Sequence, residues 1–210
     1  YGLKKRNISE VIQPNLILPM RLLDLAKNYR VKSFINTDSI LNKNISNYSL
    51  SKHHFAEWLK LFSKDFYCCN LKIEHFFGPN DDDTKFIISI IKSFLKKKNI
   101  VNFTRGNQKR DFIYIDDVVL AIQKILLHSL KQKKGFETFE IGSGNSISIK
   151  DIVRLTKKLC NNNTTKLSFG KIPMRKNEAL QVNLDLKKLF KLKWKPKCSI
   201  EDSLKKTINY

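Results

Sequence analysis

Residues 31–52 hold the stretch that decides the fold. They read Val31-Lys-Ser-Phe-Ile-Asn36, then Thr37-Asp38-Ser39, a short loop from Leu41 to Ser46, and Asn47-Tyr48-Ser-Leu-Ser-Lys52. Val31 to Asn36 is a short apolar run bounded by polar residues, which predicts a buried strand. Thr37, Asp38 and Ser39 end it. In open parallel sheets, ligands bind at the carboxyl ends of strands, so this polar trio falls where chemistry is expected. The loop then delivers a helix. Its Phe55, Trp58, Leu59 and Phe62 form an apolar stripe and predict a packed face.

The alternation continues on both sides. Glu10 to Asn28 reads as an amphipathic helix, with Val11, Leu18, Leu22, Leu25 and Ala26 as its stripe. Pro14 and Pro19 bend it or delay its start. Tyr67 to Phe76 reads as the next strand, closed by a Gly78-Pro79 turn. Thr84 to Lys98 is a helix, and Ile100–Thr104 and Phe112–Ile115 are short strands. Asp116 to Lys131 is a helix with acidic residues at its start, as the helix dipole favours. Phe136 to Ile141 is a strand, Gly142-Ser143-Gly144 a turn and Ile149 to Leu159 a helix. A short strand, Leu167–Phe169, and two helices, Asp185–Lys191 and Ser199–Ile208, complete the chain. Strand alternating with helix through the first two thirds predicts an α/β protein with a parallel sheet. The final third is shorter-ranged and reads as a small second lobe.

A chain of 210 residues suffices for one substantial core or one core with a satellite. The formal net charge of +21 raises the question of nucleic acid. The lysines are spread along the whole length, no purely basic run exceeds three residues, and no zinc-finger or RNP-type spacing occurs. The charge therefore reads as lysine-rich composition on a solvated surface, whose field would still attract an anionic substrate. Cys68, Cys69, Cys160 and Cys198 show no C-x-x-C and no framework spacing, which predicts reduced thiols and a cytoplasmic location. The longest apolar run, Phe86 to Leu95, is broken by Lys92 and is too short to cross a bilayer. There is no signal-peptide pattern. No metal site is expected, and His53, His54 and His128 read as surface or rim positions on helices.

Tyr48 and Lys52 stand four apart and so rise from one helix face. A free phenol titrates near pH ~10, and bringing it to ~7 requires about 4 kcal/mol of preference for the anion. One close cation typically supplies ~1–3 units, so a lysine with a second positive charge would suffice. The pattern alone has little weight in a lysine-rich chain, and Tyr1 with Lys5 repeats it.

The motifs acquire meaning from their order. Asn15 lies in Asn-Leu-Ile-Leu-Pro, and Thr37-Asp38 follows Phe-Ile-Asn. Tyr48-Ser-Leu-Ser-Lys52 comes next, then Lys72-Ile-Glu-His75-Phe-Phe-Gly-Pro79. Arg110-Asp-Phe-Ile-Tyr-Ile-Asp-Asp117, Phe139-Glu-Ile-Gly-Ser-Gly144 and an Arg175-to-Trp194 tail complete the set. In this order they resemble the extended short-chain dehydrogenase/reductase family of nucleotide-sugar epimerases, dehydratases and reductases. The resemblance implies a Rossmann-type, doubly wound parallel sheet, incomplete because its first strands would precede Tyr1, with a small C-terminal substrate lobe. Residues 1–77 would form a partial NAD(P)-binding domain to which 112–144 return, and 78–111 with 145–210 the substrate lobe. It also implies NAD or NADP as cofactor, a nucleotide-sugar substrate, and a homodimer through the helices that include Tyr48's, with Phe62 as a candidate contact. Within the family, the Ile-Asn-Thr-Asp and Glu-His-Phe-Phe-Gly-Pro wording is most similar to reductases of CDP-4-keto-deoxyhexoses.

The roles implied follow residue by residue. Tyr48 would exchange a proton with a sugar oxygen, and Lys52 would tune Tyr48 and hold the nicotinamide ribose. Thr37 would steady the same sugar oxygen, and Asp38 would act as an acid. Asn15 would fix backbone or a relay water beside the cofactor. Arg110 and Arg175 would hold the substrate pyrophosphate, with His75 nearby. Ser39 stands where dehydratases carry Glu, which points to reduction or epimerisation. His75 and Lys72 depart from the family's Asn and Arg. No Gly-x-x-Gly-x-x-Gly occurs, and Gly142-Ser-Gly144 lacks the third glycine, so it reads as a turn near the substrate's nucleotide. The alternatives are a non-catalytic truncated fragment or pseudoenzyme of the same family and, behind it, a basic nucleic-acid-binding protein.

Overall fold

The computed structural model describes residues 7–174 and 179–210. In chain order, α1 (Ile8–Ile12), a π turn (Gln13–Ile17) and α2 (Leu18–Asn28) precede β1 (Ser33–Ser39). A 3₁₀ turn (Lys43–Ile45), α3 (Asn47–Phe62), β2 (Tyr67–Ile73), β3 (His75–Phe77) and α4 (Phe86–Leu95) follow. Then come β4 (Ile100–Asn102), β5 (Lys109–Tyr114), α5 (Ile115–Ser129), β6 (Gly135–Ile141) and β7 (Ser146–Ser148). The last elements are α6 (Ile149–Leu159), β8 (Lys166–Ser168), α7 (Lys187–Lys191) and α8 (Ile200–Ile208). The described residues form two compact units. One holds the residues up to Glu74 with Val119–Ile141 and Asp185–Lys195; the other holds His75–Val118, Gly142–Leu184 and Pro196–Tyr210. No described helix is long and apolar enough to cross a membrane.

The first unit is built on a three-stranded parallel sheet in the order β1-β2-β6, with Asn36 opposite Asn70 and Asn70 opposite Thr138. The two-residue period of a strand gives the sheet two faces. Phe34, Cys68 and Phe136 point to one face and pack with Phe55 and Leu59 of α3 and Leu23 and Ala26 of α2. Each such side chain stabilises the fold by about 1.5–3 kcal/mol. The other face carries Tyr67, Glu137 and Phe139, covered by His128 and Ser129 of α5 and by Lys188 of α7. The segment Asp185–Lys195, assigned from sequence to the substrate lobe, therefore groups with this unit, anchored by buried Leu189 and Trp194.

The N-terminal helical run departs from its expected facing. Val11 and Ala26 are buried, but Leu18, Leu22 and Leu25 lie exposed, and the inward positions are Leu16, Met20 and Leu23. The cause is the π turn, which has Pro14 at its start. A π turn inserts one residue into the helical repeat. Everything after it is rotated by about 100°, one residue's worth of a 3.6-residue turn. Phe62 is likewise turned inward, with its ring 6.4 Å from Phe66.

The second unit holds a sheet ordered β3-β5-β7, with β3 and β5 parallel and β7 antiparallel, and a separate parallel pair β4-β8. The expected strand from Tyr67 to Phe76 is thus two strands in two sheets, divided at Glu74, whose N–H donates to Ile141 O at 2.9 Å. The core combines Phe77, Phe94, Phe103, Phe112, Ile152 and Leu204 with the nearly all-apolar α4. Asp117 accepts from the N–H groups of Lys197 and Cys198 at 2.9 and 3.0 Å, fixing the entry to α8.

Candidate active site

The expected catalytic residues lie on two successive elements, Thr37 and Asp38 at the carboxyl end of β1 and Tyr48 and Lys52 in the first turns of α3. Ser46 caps α3: its side chain accepts from the Ser49 N–H, and Ser49 Oγ accepts in turn from the Ser46 N–H. This reciprocal cap fixes where the helix starts and places Tyr48 in its first turn, where the helix dipole favours negative charge. Ser51 Oγ donates to Tyr48 O at 2.9 Å and is itself buried. One turn on, Lys52 Nζ donates to Thr37 O at 2.9 Å, tying the helix to the end of β1. Burial lowers the Lys52 pKa from its ordinary value, and the Asp38 carboxylate pulls it back up. Thr37 is exposed, and Tyr48 is half-buried in the first turn of α3, one helical turn before the Lys52 that bonds the Thr37 carbonyl. Asn15 sits in the π turn, which packs against α3.

Asp38 is held from inside the sheet. Its Oδ2 accepts from Asn70 Nδ2 at 2.8 Å, and its Oδ1 accepts from the Ser39 N–H at 2.7 Å. Asn70 Oδ1 in turn accepts from Asn36 Nδ2 at 2.7 Å. Asn36 and Asn70 were not singled out in the sequence. The available signal is that Asn36 and Asp38 are two apart in a strand and so share a face. An unsatisfied amide here would cost about 1–3 kcal/mol, so the mutual bonding is what makes the trio tolerable.

The expected substrate residues lie in the second unit. Arg110 is buried on β5, and its Nη1 donates to Lys109 O at 2.6 Å and to Ala179 O at 2.9 Å. His75 sits edge-on to Phe112, with ring centroids 5.6 Å apart. Arg175 lies outside the described residues, as do Tyr1 and Lys5. In the Gly142-Ser143-Gly144 turn, the N–H groups of Ser143 and Gly144 donate to Asp111 Oδ1 and Oδ2 at 2.7 and 2.6 Å. The backbone donors that a phosphate would use are taken by a buried carboxylate. β7 follows this turn, where the sequence suggested that it led directly to a helix. A polar cavity of about 340 Å³ opens beside it, lined by Lys109, Asp111, Asn145, Ser146 and Gln181 among others.

His128 is also not a rim residue. Its Nε2 lies 3.2 Å from Tyr67 Oη and 3.3 Å from Glu137 Oε1, and Tyr67 Oη donates to Glu137 at 2.6 Å. Burial pushes the Glu137 carboxyl up, but the donors from Tyr67 and His128 more than reverse this and leave it below the usual range. Burial pushes the Cys68 and Cys69 thiols up to about 12, as expected of inert, packed cysteines.

A parallel sheet covered on both faces, with a Tyr-x-x-x-Lys helix following a polar strand end, defines a Rossmann-type α/β protein. The solved structures agree on the fold. The UDP-glucose 4-epimerase of Thermotoga maritima with UDP-glucose superposes with a TM-score of 0.84 at 23% identity, covering 98% of this chain and 71% of that one. The UDP-glucuronic acid 4-epimerase of Bacillus cereus in complex with UDP-glucuronic acid and NAD gives 0.81 at 23% identity, covering 93% and 66%. The model of the NAD dependent epimerase/dehydratase family matches residues 2–142. CDP-abequose synthase of Salmonella muenchen is 36% identical over 222 aligned residues, spanning 100% of this chain and 73% of that relative. The chain belongs to the NAD-dependent epimerase/dehydratase family.

Proposed function

We propose that the protein acts on a nucleotide-diphosphate sugar, a CDP-4-keto-deoxyhexose, by NAD(P)-dependent reduction or epimerisation with Tyr48 as its acid–base group. The observation that carries this is the bond from Lys52 Nζ to Thr37 O, which brings the Tyr48 helix and the polar end of β1 together. The similarity to CDP-abequose synthase favours the cytidine nucleotide and the deoxy sugar. Ser39 after Asp38 favours reduction or epimerisation over dehydration.

The donor set suits the reacting end of a nicotinamide cofactor. An ammonium has three N–H donors, and the one spent on Thr37 O leaves two for ribose hydroxyls. When bound, such a cofactor supplies or accepts the hydride. Tyr48 Oη gives its proton to the sugar carbonyl oxygen, or takes one in the reverse sense. Thr37 donates a hydrogen bond to the same oxygen and steadies its developing charge. Lys52 favours the phenolate that remains. Asn15 steadies the backbone beside α3. Arg110, with Arg175, answers the substrate's two phosphate charges, and His75 reads the sugar. A second copy of the chain packs on the helices that include α3, covering the exposed row Leu18, Leu22 and Leu25 of the neighbouring α2.

The test is an assay of the full protein for NAD(P)H-linked turnover of CDP- and dTDP-4-keto sugars. Tyr48→Phe is expected to lower kcat by about 10²–10⁴-fold, and a loss under about tenfold would sink the assignment. Leu22→Glu is expected to convert a dimer to monomer in sedimentation.

The second reading, a non-catalytic relative, draws on the amides of Ser143 and Gly144, which are engaged by Asp111. It predicts that this 210-residue chain binds no NAD(P) and is poorly soluble, β1 being an edge strand among the described ones. Micromolar cofactor binding by calorimetry would dismiss it.

A further inference from the structure

The geometry points to Asn70 as a positioning residue: its carboxamide, braced by Asn36, fixes the Asp38 carboxylate as the counter-charge of Lys52. This rests on the reading of Tyr48 and Lys52 proposed above. The three side chains share one face of β1 and β2, with Asn36 opposite Asn70 in the strand register and Asp38 two residues further toward the carboxyl end. All three are deeply buried, with Asn70 2% exposed and Asn36 and Asp38 each 8%. Such a position in a sheet covered by helices normally takes Val, Ile or Leu. Three polar groups at neighbouring sites call for a reason beyond packing.

The chain of bonds has one possible direction. A carboxylate only accepts, so the nitrogen of Asn70 must face Asp38. Its oxygen then faces Asn36, which must donate. The amide orientations follow from Asp38 alone, and neither Asn can flip without breaking a bond. With Ser39 N–H on Oδ1 and Asn70 on Oδ2, the carboxylate has both oxygens held at the strand end where Lys52 meets Thr37 O.

The elements packed on α3 bring other charged groups, namely Glu10 on α1, Arg21, Asp24 and Lys27 on α2, Lys43 before α3, Lys72 on β2, and Glu137 and Glu140 on β6. Lys72 lies next to Asp38 in the register, and Glu140 next to Lys72. Asp38 adjoins the Thr37 carbonyl that Lys52 Nζ holds, and its charge opposes the effect of burial on Lys52. Loosening Asp38 therefore makes the Lys52 ammonium harder to keep. Because Lys52 supports the anionic form of Tyr48, a carboxamide in the neighbouring strand tunes the acid–base group through two intermediaries.

The experiment follows the titration of the Lys52 ζ-amino group by NMR in the full chain, assigned by loss of its signal in Lys52→Arg. Asp38→Asn is expected to move that titration to lower pH, because the opposing charge is gone. Asn70→Thr keeps strand preference but cannot span to Asp38. It is expected to give at least half of the same displacement, and the double variant no more than Asp38→Asn alone. In the assay, Asn70→Thr is expected to lower kcat about tenfold, as for a one-unit displacement, with KM within about twofold, and to bring the alkaline fall in rate to lower pH. Should Asn70→Thr fail to fold, Asn70→Ser carries the same comparison. A Lys52 titration unmoved by Asp38→Asn, or moved by it but not by the Asn70 variants, overturns the proposal and leaves the trio as packing. The NMR measurement needs no substrate. Absence of turnover by the wild type would count against the proposed function, while the titration still decides the role of Asn70.

Discussion

Two strand ends in this chain look alike in sequence and behave oppositely. At the end of β1, Thr37-Asp38-Ser39 leads by a short loop to α3; after β6, Gly142-Ser143-Gly144 leads to β7. Both are short, polar and lie at the carboxyl end of a parallel strand, the usual site of ligand binding in α/β sheets. At the first, the polar groups that the fold uses internally are a backbone carbonyl and a buried carboxylate, while Thr37 is exposed and Tyr48 half-buried. At the second, the backbone N–H groups are themselves consumed, both bonded to Asp111. A glycine-rich turn becomes an anion site only when no carboxylate of the protein reaches it first.

Four changes would break or sharpen this contrast. The largest effect is expected for Lys52→Met, with turnover down about a hundredfold or more and the far-ultraviolet dichroism unchanged. Loss of folding without a separable loss of turnover would make the first strand end structural like the second. Asp111→Ala should do the reverse. It removes two charge-assisted bonds from part-buried backbone donors, so chemical denaturation should show a loss of about 2–3 kcal/mol. A stable Asp111→Ala protein with impaired substrate binding would show that the turn serves a ligand after all. Gly142→Ala comes next, since a Cβ there runs into Leu184 and crowds Asp111. A cost of about 1–2 kcal/mol is expected from the same unfolding curves.

The smallest effect concerns Tyr67 and Glu137, at the amino ends of their strands. Glu137 has its pKa depressed in the fold, so its contribution is present above its unfolded value near ~4.3 and lost as pH falls through the lower folded value. Tyr67→Phe should cost about 1 kcal/mol at neutral pH, modest because Glu137 is partly exposed. The deficit should fade in unfolding curves taken below about pH 4, where both chains have lost the carboxylate's contribution.

Much of the fold was legible because burial imposes period. Phe55 and Leu59 announced the packed face of α3, and the β2 and β6 runs announced buried strands. The division of Tyr67–Phe76 was not legible, because nothing in Lys72-Ile-Glu-His75 marks the point where the chain changes sheets. The short loop from β1 to α3 was legible, and Lys52 Nζ bonds back to Thr37 O across it. Asn36 and Asn70 escaped notice because their partnership is made across strands 34 positions apart, and single residues show no long-range bonds. His128 was misread for a similar reason. Its partners Tyr67 and Glu137 come from two different strands, and helix periodicity shows neither.

The π turn at Gln13–Ile17 has a consequence for how this chain can be altered. It works as a one-residue phase setter, deciding which leucines of α2 face water. Deleting one residue between Gln13 and Ile17 would remove the extra residue and keep Leu23 and Ala26 in place. Straightening the turn into an uninterrupted α-repeat at unchanged length would instead swing Leu18, Leu22 and Leu25 inward, displacing Leu23 and Ala26 from beside Phe55. A change that leaves the composition of α2 untouched would thus exchange its outer row for its inner one.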